Sequence, residues 1–285
     1  MKLICNGDSW VFGSELVDPE ILKKYPPHVH VGNFDHLEEN DSYRIPRIFS
    51  SKLASMLNAD SINLSWPADD NSSISDRTID YITKNYLVKG VDTSELFVVI
   101  GWSSPERVRF WYKDENHSMR YIIWPSLEWH DTTEQKKIWE LYVSYLWNKE
   151  EYLPRFVDTV LKTQNFFKAN NIKYVMFNSF YQGGGSGCSH AIYEDINIEK
   201  ELQSINWSYV EQQAGQRISH FYDHCSVWKT VDPVAYYCKD QNKNSFRTFI
   251  TDRLANPLSG WHPSEQGHTI WAEELYRYIT VNNLL

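Results

Sequence analysis

The feature that most constrains this chain is the tripeptide Gly7-Asp8-Ser9, which directly follows a short apolar run at residues 3–5. The run predicts a buried strand, and the tripeptide predicts a tight turn where that strand ends. A serine on such a turn presents its hydroxyl to solvent, and its own backbone N–H can face the same space. Ser9 is therefore a candidate nucleophile that also brings a donor for an oxyanion.

Strand-like and helix-like patterns alternate along the chain. Strands are predicted at residues 2–8, 61–64, 96–100 and 173–177, and helices at residues 44–57, 73–86, 133–147, 152–169 and 264–278. The run at 96–100 is apolar throughout, which is typical of a strand covered on both faces of a parallel sheet. The alternation predicts an α/β fold with a doubly wound, mostly parallel sheet.

The length of 285 residues favours one domain with insertions over two complete domains. We expect a single domain over residues 1–285, with an aromatic-rich insertion at about 106–150 and a second insertion at about 181–258. Residues 14–40 have no sustained periodicity and are predicted to form a long loop over the active-site face.

The charge balance argues against polyanionic partners. The chain carries 28 basic and 37 acidic residues, a net charge of −9, so neither nucleic acid nor an anionic membrane is an expected partner. The first predicted strand leaves no room for a secretory h-region, and no apolar run approaches about 18 residues. We therefore expect a soluble, cytoplasmic protein.

No metal site is predicted. The four cysteines lack zinc-ligand spacing and are expected to be reduced thiols. His28, His30 and His36 have no acidic or thiol ligand spaced with them, so metal binding is disfavoured.

A second motif lies near the other end of the chain, in Trp261-His262-Pro263. Together with Gly7-Asp8-Ser9 it resembles the SGNH hydrolases, also called the GDSL family, whose base is the histidine of a C-terminal Asp-x-x-His-Pro. The resemblance implies a three-layer α/β/α sandwich with a flavodoxin-like sheet of about five strands in the order 2-1-3-4-5. It also implies serine ester hydrolysis by Ser9 and His262, with no cofactor.

Two oxyanion positions differ from the family pattern. In the family a glycine N–H after the second strand joins the oxyanion hole, and this position holds Ala68, which still has the N–H. The asparagine of the family's Gly-x-Asn-Asp block is replaced by Ser103, whose hydroxyl can donate one hydrogen bond. The predicted donors are therefore Ser9, Ala68 and Ser103. The neighbouring Asp69 and Asp70 are predicted to be solvated or to cap the next helix.

The orienting aspartate of the family is missing, because Ser259 stands three residues before His262. A backbone carbonyl, Ser259 itself or a displaced acid such as Asp252 could hold the imidazole tautomer. We include Asp252 among the candidate catalytic residues, and we expect its loss to lower activity.

Aromatic residues suggest the substrate class. They make up 15% of the chain, and six tryptophans lie between residues 102 and 147. Aromatic side chains at a pocket rim stack on sugar rings, although the clustered tryptophans can also simply fill a small core, which we favour. The candidate substrate-binding residues are Trp10, Trp66, Trp102, Arg107 and Trp261.

The expected substrate is a small-molecule or glycan ester, and the expected reaction is removal of an acyl group, with O-acetyl favoured. The alternative is a catalytically weak or inactive carbohydrate-binding or virion-associated module on the same fold. Gly101-Trp102-Ser103-Ser104-Pro105-x-Arg107 resembles family sequences often carried by bacteriophages. Acyl transfer to a sugar is a third possibility, and the oligomeric state is left open.

Overall fold

The computed structural model describes residues 1–25, 34–35, 37–113, 118–123, 125, 132–183, 192–193, 197–206, 223–239, 241 and 243–285. In chain order its strands are β1 (Lys2–Asn6), β2 (Asp60–Asn63), β3 (Leu96–Trp102), β4 (Val108–Lys113), β5 (Ser118–Ile123), β6 (Lys173–Asn178), β7 (Gln182–Gly183), β8 (Ile192–Tyr193), β9 (Leu258–Ser259) and β10 (His262–Pro263). Its helices are α1 (Ser9–Phe12), α2 (Pro19–Leu22), α3 (Glu38–Arg44), α4 (Phe49–Met56), α5 (Asn71–Ile82), α6 (Thr133–Tyr145), α7 (Lys149–Ala169), α8 (Ile198–Gln203), α9 (His224–Lys229), α10 (Phe246–Thr251) and α11 (Glu265–Val281).

The central sheet is parallel, with the strand order β2-β1-β3-β6. This is the predicted order of the first four strands, and the predicted α/β fold class is confirmed. The predicted fifth strand is not formed in the described part of the chain. Its edge of the sheet carries two isolated parallel bridges, Met176 to Tyr236 and Asn178 to Ser245. Cys238 adopts a φ of 48°, a left-handed conformation that ends the pairing after Tyr237.

Both faces of the sheet are covered by helices. Every residue of β3 is buried, as its continuous apolar sequence predicted. Phe97 and Val99 pack on one side with residues of α4, α10 and α11. Val98 and Ile100 pack on the other side with residues of α5, α7, α8 and α9. The alternation of side chains along β3 thus divides the interior into two cores, which gives the predicted three layers.

The helix predicted at residues 44–57 is divided in the structure. α3 ends at Arg44, a 3₁₀ turn covers Ile45–Arg47, and α4 begins at Phe49. Pro46 has no N–H to continue a helical ladder, and Ile48 is extended with a ψ of 154°. The predicted loop at 14–40 likewise contains α2 and the start of α3. The predicted histidine cluster, His28, His30 and His36, lies outside the described residues.

The aromatic insertion has a small core of its own. β4 and β5 form an antiparallel hairpin, and Tyr121, Ile123 and Tyr142 are buried between this hairpin and α6. Trp139 and Trp147 pack against the same cluster, so for these two tryptophans the prediction of a core role is confirmed. Trp124 and Trp129 lie outside the described residues. Among the described residues, no helix is both long and apolar enough to cross a bilayer.

The burial of β3 can be tested by the same substitution at a buried valine and at an exposed valine. Val98 is fully buried in β3, whereas Val88 is 77% exposed. We expect Val98→Ala to lower the free energy of unfolding by about 2 kcal/mol, because a buried methyl pair is lost and a cavity remains. Val88→Ala should change it by less than about 0.5 kcal/mol. Urea titration measures both, and equal effects would contradict the assigned burial.

Candidate active site

Ser9 is the first residue of α1 and follows β1 at its carboxyl end. Asp8 caps this short helix, and its carboxylate accepts a hydrogen bond of 3.0 Å from the Trp10 N–H. Gly13 ends the helix with a φ of 83° and donates its N–H to the Ser9 carbonyl. The sequence Asp-Ser followed by Gly13 therefore builds one isolated helical turn that begins with the serine.

Glycine at position 7 is required by close packing. A Cβ on Gly7 would collide with the Val11 side chain and would lie 2.8 Å from the Gly101 carbonyl oxygen. Because β3 ends at this point, the turn before Ser9 lies directly against the end of the neighbouring strand. The predicted tight turn is thus explained by the approach of two backbones.

His262 is brought to the helix of Ser9 by a hairpin. β9 and β10 pair antiparallel with Ser259 opposite His262, and Gly260 adopts a φ of 66° in the turn between them. β10 lies against α1, and the His262 ring is 6.4 Å from the ring of Trp10, the residue after Ser9. The two ends of the chain that carry the motifs therefore meet at the carboxyl edge of the sheet, where open α/β sheets bind ligands.

The second histidine of this motif, His268, has a different role. It is fully buried, and its Nδ1 accepts a hydrogen bond of 3.2 Å from the Phe49 N–H. Burial lowers the pKa of His268 to about 3, so the ring is neutral. Of these two histidines, His262 is the one partly open to solvent, and it is the candidate base.

A carboxylate that the sequence reasoning missed lies beside His262. Glu15 Oε1 is 3.3 Å from His262 Nδ1, and Glu15 Oε2 accepts a hydrogen bond of 2.7 Å from the Trp261 N–H. The Glu15 side chain is buried. Its position six residues after Ser9, just beyond the glycine that ends α1, was the signal available in the sequence.

Asp252, the predicted acid, is placed elsewhere. It follows α10, its Oδ2 is 2.8 Å from Lys243 Nζ, and it lines a surface hollow with Arg253 and Glu274. The structure therefore does not bring Asp252 to His262. Ser259 lies opposite His262 in the hairpin, but its side chain is exposed.

The loop after β2 runs along the Ser9 turn. The Trp66 N–H donates a hydrogen bond of 3.2 Å to the Gly7 carbonyl. Two residues later, Ala68 adopts a φ of 67°. This is the left-handed region that glycine enters freely, so the position keeps the backbone conformation of a glycine although it holds an alanine.

Ser103, the third predicted donor, follows β3. Its N–H donates a hydrogen bond of 2.8 Å to Asn71 Oδ1, and the Asn71 amide donates in turn to the Ser103 carbonyl. The Ser103 side chain is buried and interacts with the Asp8 carboxylate. The structure thus places the Ser103 hydroxyl near Asp8, the residue before Ser9, and closed to solvent.

Arg107 joins the turns that carry the site. Its Nη1 lies 3.7 Å from Asp8 Oδ2 and donates a hydrogen bond of 3.2 Å to the Asp69 carbonyl. Burial raises the pKa of Asp8, and the Arg107 charge only partly offsets this effect. Arg107 is itself buried, so it acts as a strut between the Ser9 turn and the Ala68 loop.

The two aspartates after Ala68 have separate structural roles. Asp70 caps α5 by accepting hydrogen bonds from the Ser72 and Ser73 N–H groups, as predicted. Asp69 is fully buried and forms an ion pair with Arg77, so the prediction of a solvated or capping Asp69 was wrong. The residue after Ala68 is thus a buried carboxylate that pairs with a partly exposed arginine.

The predicted substrate-binding residues divide by exposure. Trp66 is 47% exposed and Trp261 is 60% exposed. Trp10 packs against Phe180 and Phe246, and Trp102 is buried against Phe156. Together with the buried Arg107, these two tryptophans therefore offer no open face to a ligand, whereas Trp66 and Trp261 do.

Residues 34–204 match a family whose description is "Family of unknown function (DUF6071)". The match spans more than half of the chain. This protein belongs to that family. The matched residues contain Ala68, Ser103 and Arg107, whereas Ser9, Glu15 and His262 lie outside them. No curated protein matches the sequence.

Three solved structures are similar in fold at low sequence identity. A lipolytic protein of the G-D-S-L family from Desulfitobacterium hafniense DCB-2 has a TM-score of 0.42 and 12% identity, over 97% of this chain and 98% of its own. A carbohydrate esterase described as having divergent catalytic and non-catalytic binding functions has a TM-score of 0.42 and 11% identity, over 98% of this chain and 64% of its own. A carbohydrate esterase family 2 enzyme with a carbohydrate-binding domain, from Corynascus thermopiles (Myceliophthora fergusii), has a TM-score of 0.44 and 11% identity, over 99% of this chain and 66% of its own.

The chain spans about two thirds of the length of the two carbohydrate esterases. Because these TM-scores and identities are low, the roles of the site residues are argued only from the geometry of this chain.

The left-handed backbone at Ala68 can be tested by glycine substitution. Strain at a non-glycine residue of this conformation costs about 1–2 kcal/mol, while the greater freedom of glycine in the unfolded chain costs about 0.4–1 kcal/mol. We therefore expect Ala68→Gly to raise the free energy of unfolding by about 0.5 kcal/mol. Ala54→Gly, the same change within α4, should lower it by about 1 kcal/mol. Equal losses in urea titrations of the two variants would contradict the assignment.

A buried acid in the loop after Ser103 gives a pH-dependent prediction. Glu106 is buried, its Oε1 accepts a hydrogen bond of 3.1 Å from the Tyr181 hydroxyl, and burial raises its pKa from 4.5 to about 8. Between these two values the folded state binds the proton more tightly than the unfolded state, so stability falls as the pH rises.

We expect the wild type to lose on the order of 4 kcal/mol relative to Glu106→Gln as the pH rises through this window. The glutamine cannot ionise and so does not share this loss. Exposed Glu273→Gln is the matched control and should follow the wild type at every pH. Urea titrations across the window measure the difference, and parallel curves for wild type and Glu106→Gln would refute it.

Proposed function

We propose that this protein is a serine hydrolase that removes an acyl group, with O-acetyl favoured, from a carbohydrate or a related polar ester. One observation carries the proposal. Ser9 begins a short helix at the carboxyl edge of a parallel sheet, and the hairpin bearing His262 packs against that helix. A serine and a partly exposed histidine meeting at this edge are the two groups that acyl transfer requires.

In the proposed mechanism, Ser9 Oγ attacks the carbonyl carbon of the ester while His262 takes the hydroxyl proton. The C–O double bond becomes an oxyanion. When the tetrahedral intermediate collapses, the bond to the alcohol breaks, and His262 returns the proton to the departing oxygen. Water then attacks the acyl-enzyme in the same way and releases the acid and free Ser9.

The backbone N–H groups of Ser9 and Ala68 are the proposed oxyanion donors. The Trp66 to Gly7 hydrogen bond supports this assignment, because it ties the Ala68 loop to the Ser9 turn. The Arg107 strut fixes the same two segments from beneath. Donors held in place before the reaction stabilise a developing negative charge without reorganisation. The Ser103 hydroxyl is buried near Asp8, so we assign the oxyanion chiefly to the two backbone groups.

The exposed tryptophans support a carbohydrate as the substrate. Trp66 lies in the loop attached to the Ser9 turn, and Trp261 immediately precedes His262. Both exposed side chains therefore belong to segments that contact or carry the proposed nucleophile and the proposed base. The apolar C–H faces of sugar rings stack on such side chains, while their hydroxyl edges stay solvated.

A second candidate function is binding without turnover, as a carbohydrate-binding module. The position of Ser103 favours it, because a buried hydroxyl is a weaker oxyanion donor than an open side-chain amide. Acyl transfer to a sugar, virion association, a bacteriophage origin and a cytoplasmic location all stay predictions from the sequence.

The proposed nucleophile is tested by covalent labelling. We expect a fluorophosphonate to form one adduct per chain at Ser9, because the neighbouring base activates this hydroxyl. Ser9→Ala should give no adduct and should hydrolyse a generic acetyl ester about 10³-fold or more slowly. Ser61→Ala, which removes an exposed serine on β2, is the matched control and should label like the wild type. Intact mass and peptide mapping identify the site.

Absence of an adduct under conditions that label a control esterase would refute the hydrolase. Binding of sugars by such an unreactive protein, measured by calorimetry and lost in Trp66→Ala and Trp261→Ala, would instead establish the binding module. An adduct on Ser9 would justify a screen of acetylated sugars.

A further inference from the structure

We infer that Glu15 is the positioning residue for His262, in place of the aspartate whose position in the sequence is taken by Ser259. This inference rests on the proposed function and deepens it. In this chain the proposed carboxylate therefore lies after α1, the helix of Ser9, and not on the β9–β10 hairpin that carries His262.

The distances define the contact. Glu15 Oε1 lies 3.3 Å from His262 Nδ1, and the Glu15 side chain is almost completely buried. A proton on Nδ1 that is attracted to this carboxylate leaves the lone pair on Nε2, the nitrogen that must accept the serine proton. The same negative charge stabilises the imidazolium that forms when the proton is transferred.

The carboxylate is fixed by the backbone of the hairpin. Glu15 Oε2 accepts a hydrogen bond of 2.7 Å from the Trp261 N–H. A Cβ at Gly260 would collide with the same oxygen, so the turn leaves room for the carboxylate only because this residue is glycine. One oxygen thus anchors Glu15 to the hairpin, and the other lies against the ring of the histidine that follows.

The main chain at Glu15 is held as well. Glu15 adopts a φ of 66°, which is uncommon for a residue other than glycine. Its N–H donates a hydrogen bond of 2.9 Å to Asp35 Oδ1. A costly backbone conformation kept by a specific hydrogen bond is a feature of functional sites, and here it directs a carboxylate to the candidate base.

The other ionisable groups considered as partners of His262 Nδ1 have different contacts. Asp8 interacts with His262 through space, but its carboxylate caps α1 and faces Arg107. His268 also interacts electrostatically with His262, and it is neutral. Asp252 pairs with Lys243. Of these acids, Glu15 has the carboxylate that the structure places against Nδ1.

The first experiment uses the wild-type protein and no substrate. Nitrogen-15 NMR of the histidine rings, assigned with His262→Ala, reports which nitrogen of neutral His262 carries the proton. We expect the Nδ1–H tautomer. The Nε2–H tautomer would overturn the inference. This result does not depend on turnover, so it separates failure of the positioning role from failure of the proposed hydrolase.

The second experiment compares Glu15→Gln with Asp252→Asn. Glutamine can still accept the Trp261 N–H but carries no charge. We therefore expect the population of the Nδ1–H tautomer of His262 to fall in Glu15→Gln, because no negative charge attracts the Nδ1 proton, and to stay at its wild-type value in Asp252→Asn. An unchanged His262 tautomer in a folded Glu15→Gln protein would overturn the inference.

With an ester substrate, kcat of Glu15→Gln should fall by about 10² to 10⁴-fold while KM changes little, as expected for an orienting carboxylate. Asp252→Asn should keep both values. A merely structural role for Glu15 would lower the amount of folded enzyme without lowering kcat per labelled active site, and this outcome would count against the inference.

Discussion

The hydrogen bond between the Trp261 N–H and the Glu15 carboxylate joins residues 246 positions apart, and the candidate site depends on it. It attaches the hairpin of His262 to the segment that leaves the Ser9 helix. A hydrogen bond from a backbone N–H to an ionised carboxylate is worth about 1.5–3 kcal/mol, more than a bond between neutral groups. The bond also fixes where the second oxygen of Glu15 lies. One interaction therefore joins two distant segments and places a carboxyl group beside the candidate base.

Sheet topology supplies the other half of the site. In the order β2-β1-β3 the carboxyl ends of three neighbouring strands carry the Ala68 loop, the Ser9 turn and the Ser103 loop. Their mutual positions are then set by short contacts such as Trp66 N–H to Gly7 O and by the Arg107 strut. Parallel strands make the site possible, and buried polar contacts make its geometry specific.

The sequence was sufficient for the parts of the structure that are governed by local pattern. The apolar run of β3 predicted a doubly covered strand, and Gly7-Asp8-Ser9 predicted the turn. Contacts between distant segments could not be found in this way. Asp252 was closer to His262 in the sequence than Glu15, yet α10 directs it to a separate hollow. Burial also escaped prediction, since Trp10 and Trp102 pack in the core while Trp66 and Trp261 are exposed.

Three positions, Ala68, Ser259 and Ser103, differ in residue type from the motifs that the chain resembles, and the structure compensates for these differences to different degrees. Ala68 stands where the resembling hydrolases have a glycine, and it adopts the left-handed backbone at a cost in strain. Ser259 stands where they have an aspartate, and the Glu15 carboxylate lies 3.3 Å from His262 Nδ1. Ser103 differs, because its hydroxyl is buried near the Asp8 carboxylate and does not lie open to a substrate. Under the proposed function, a weak oxyanion hole would therefore slow this chain more than a badly oriented base.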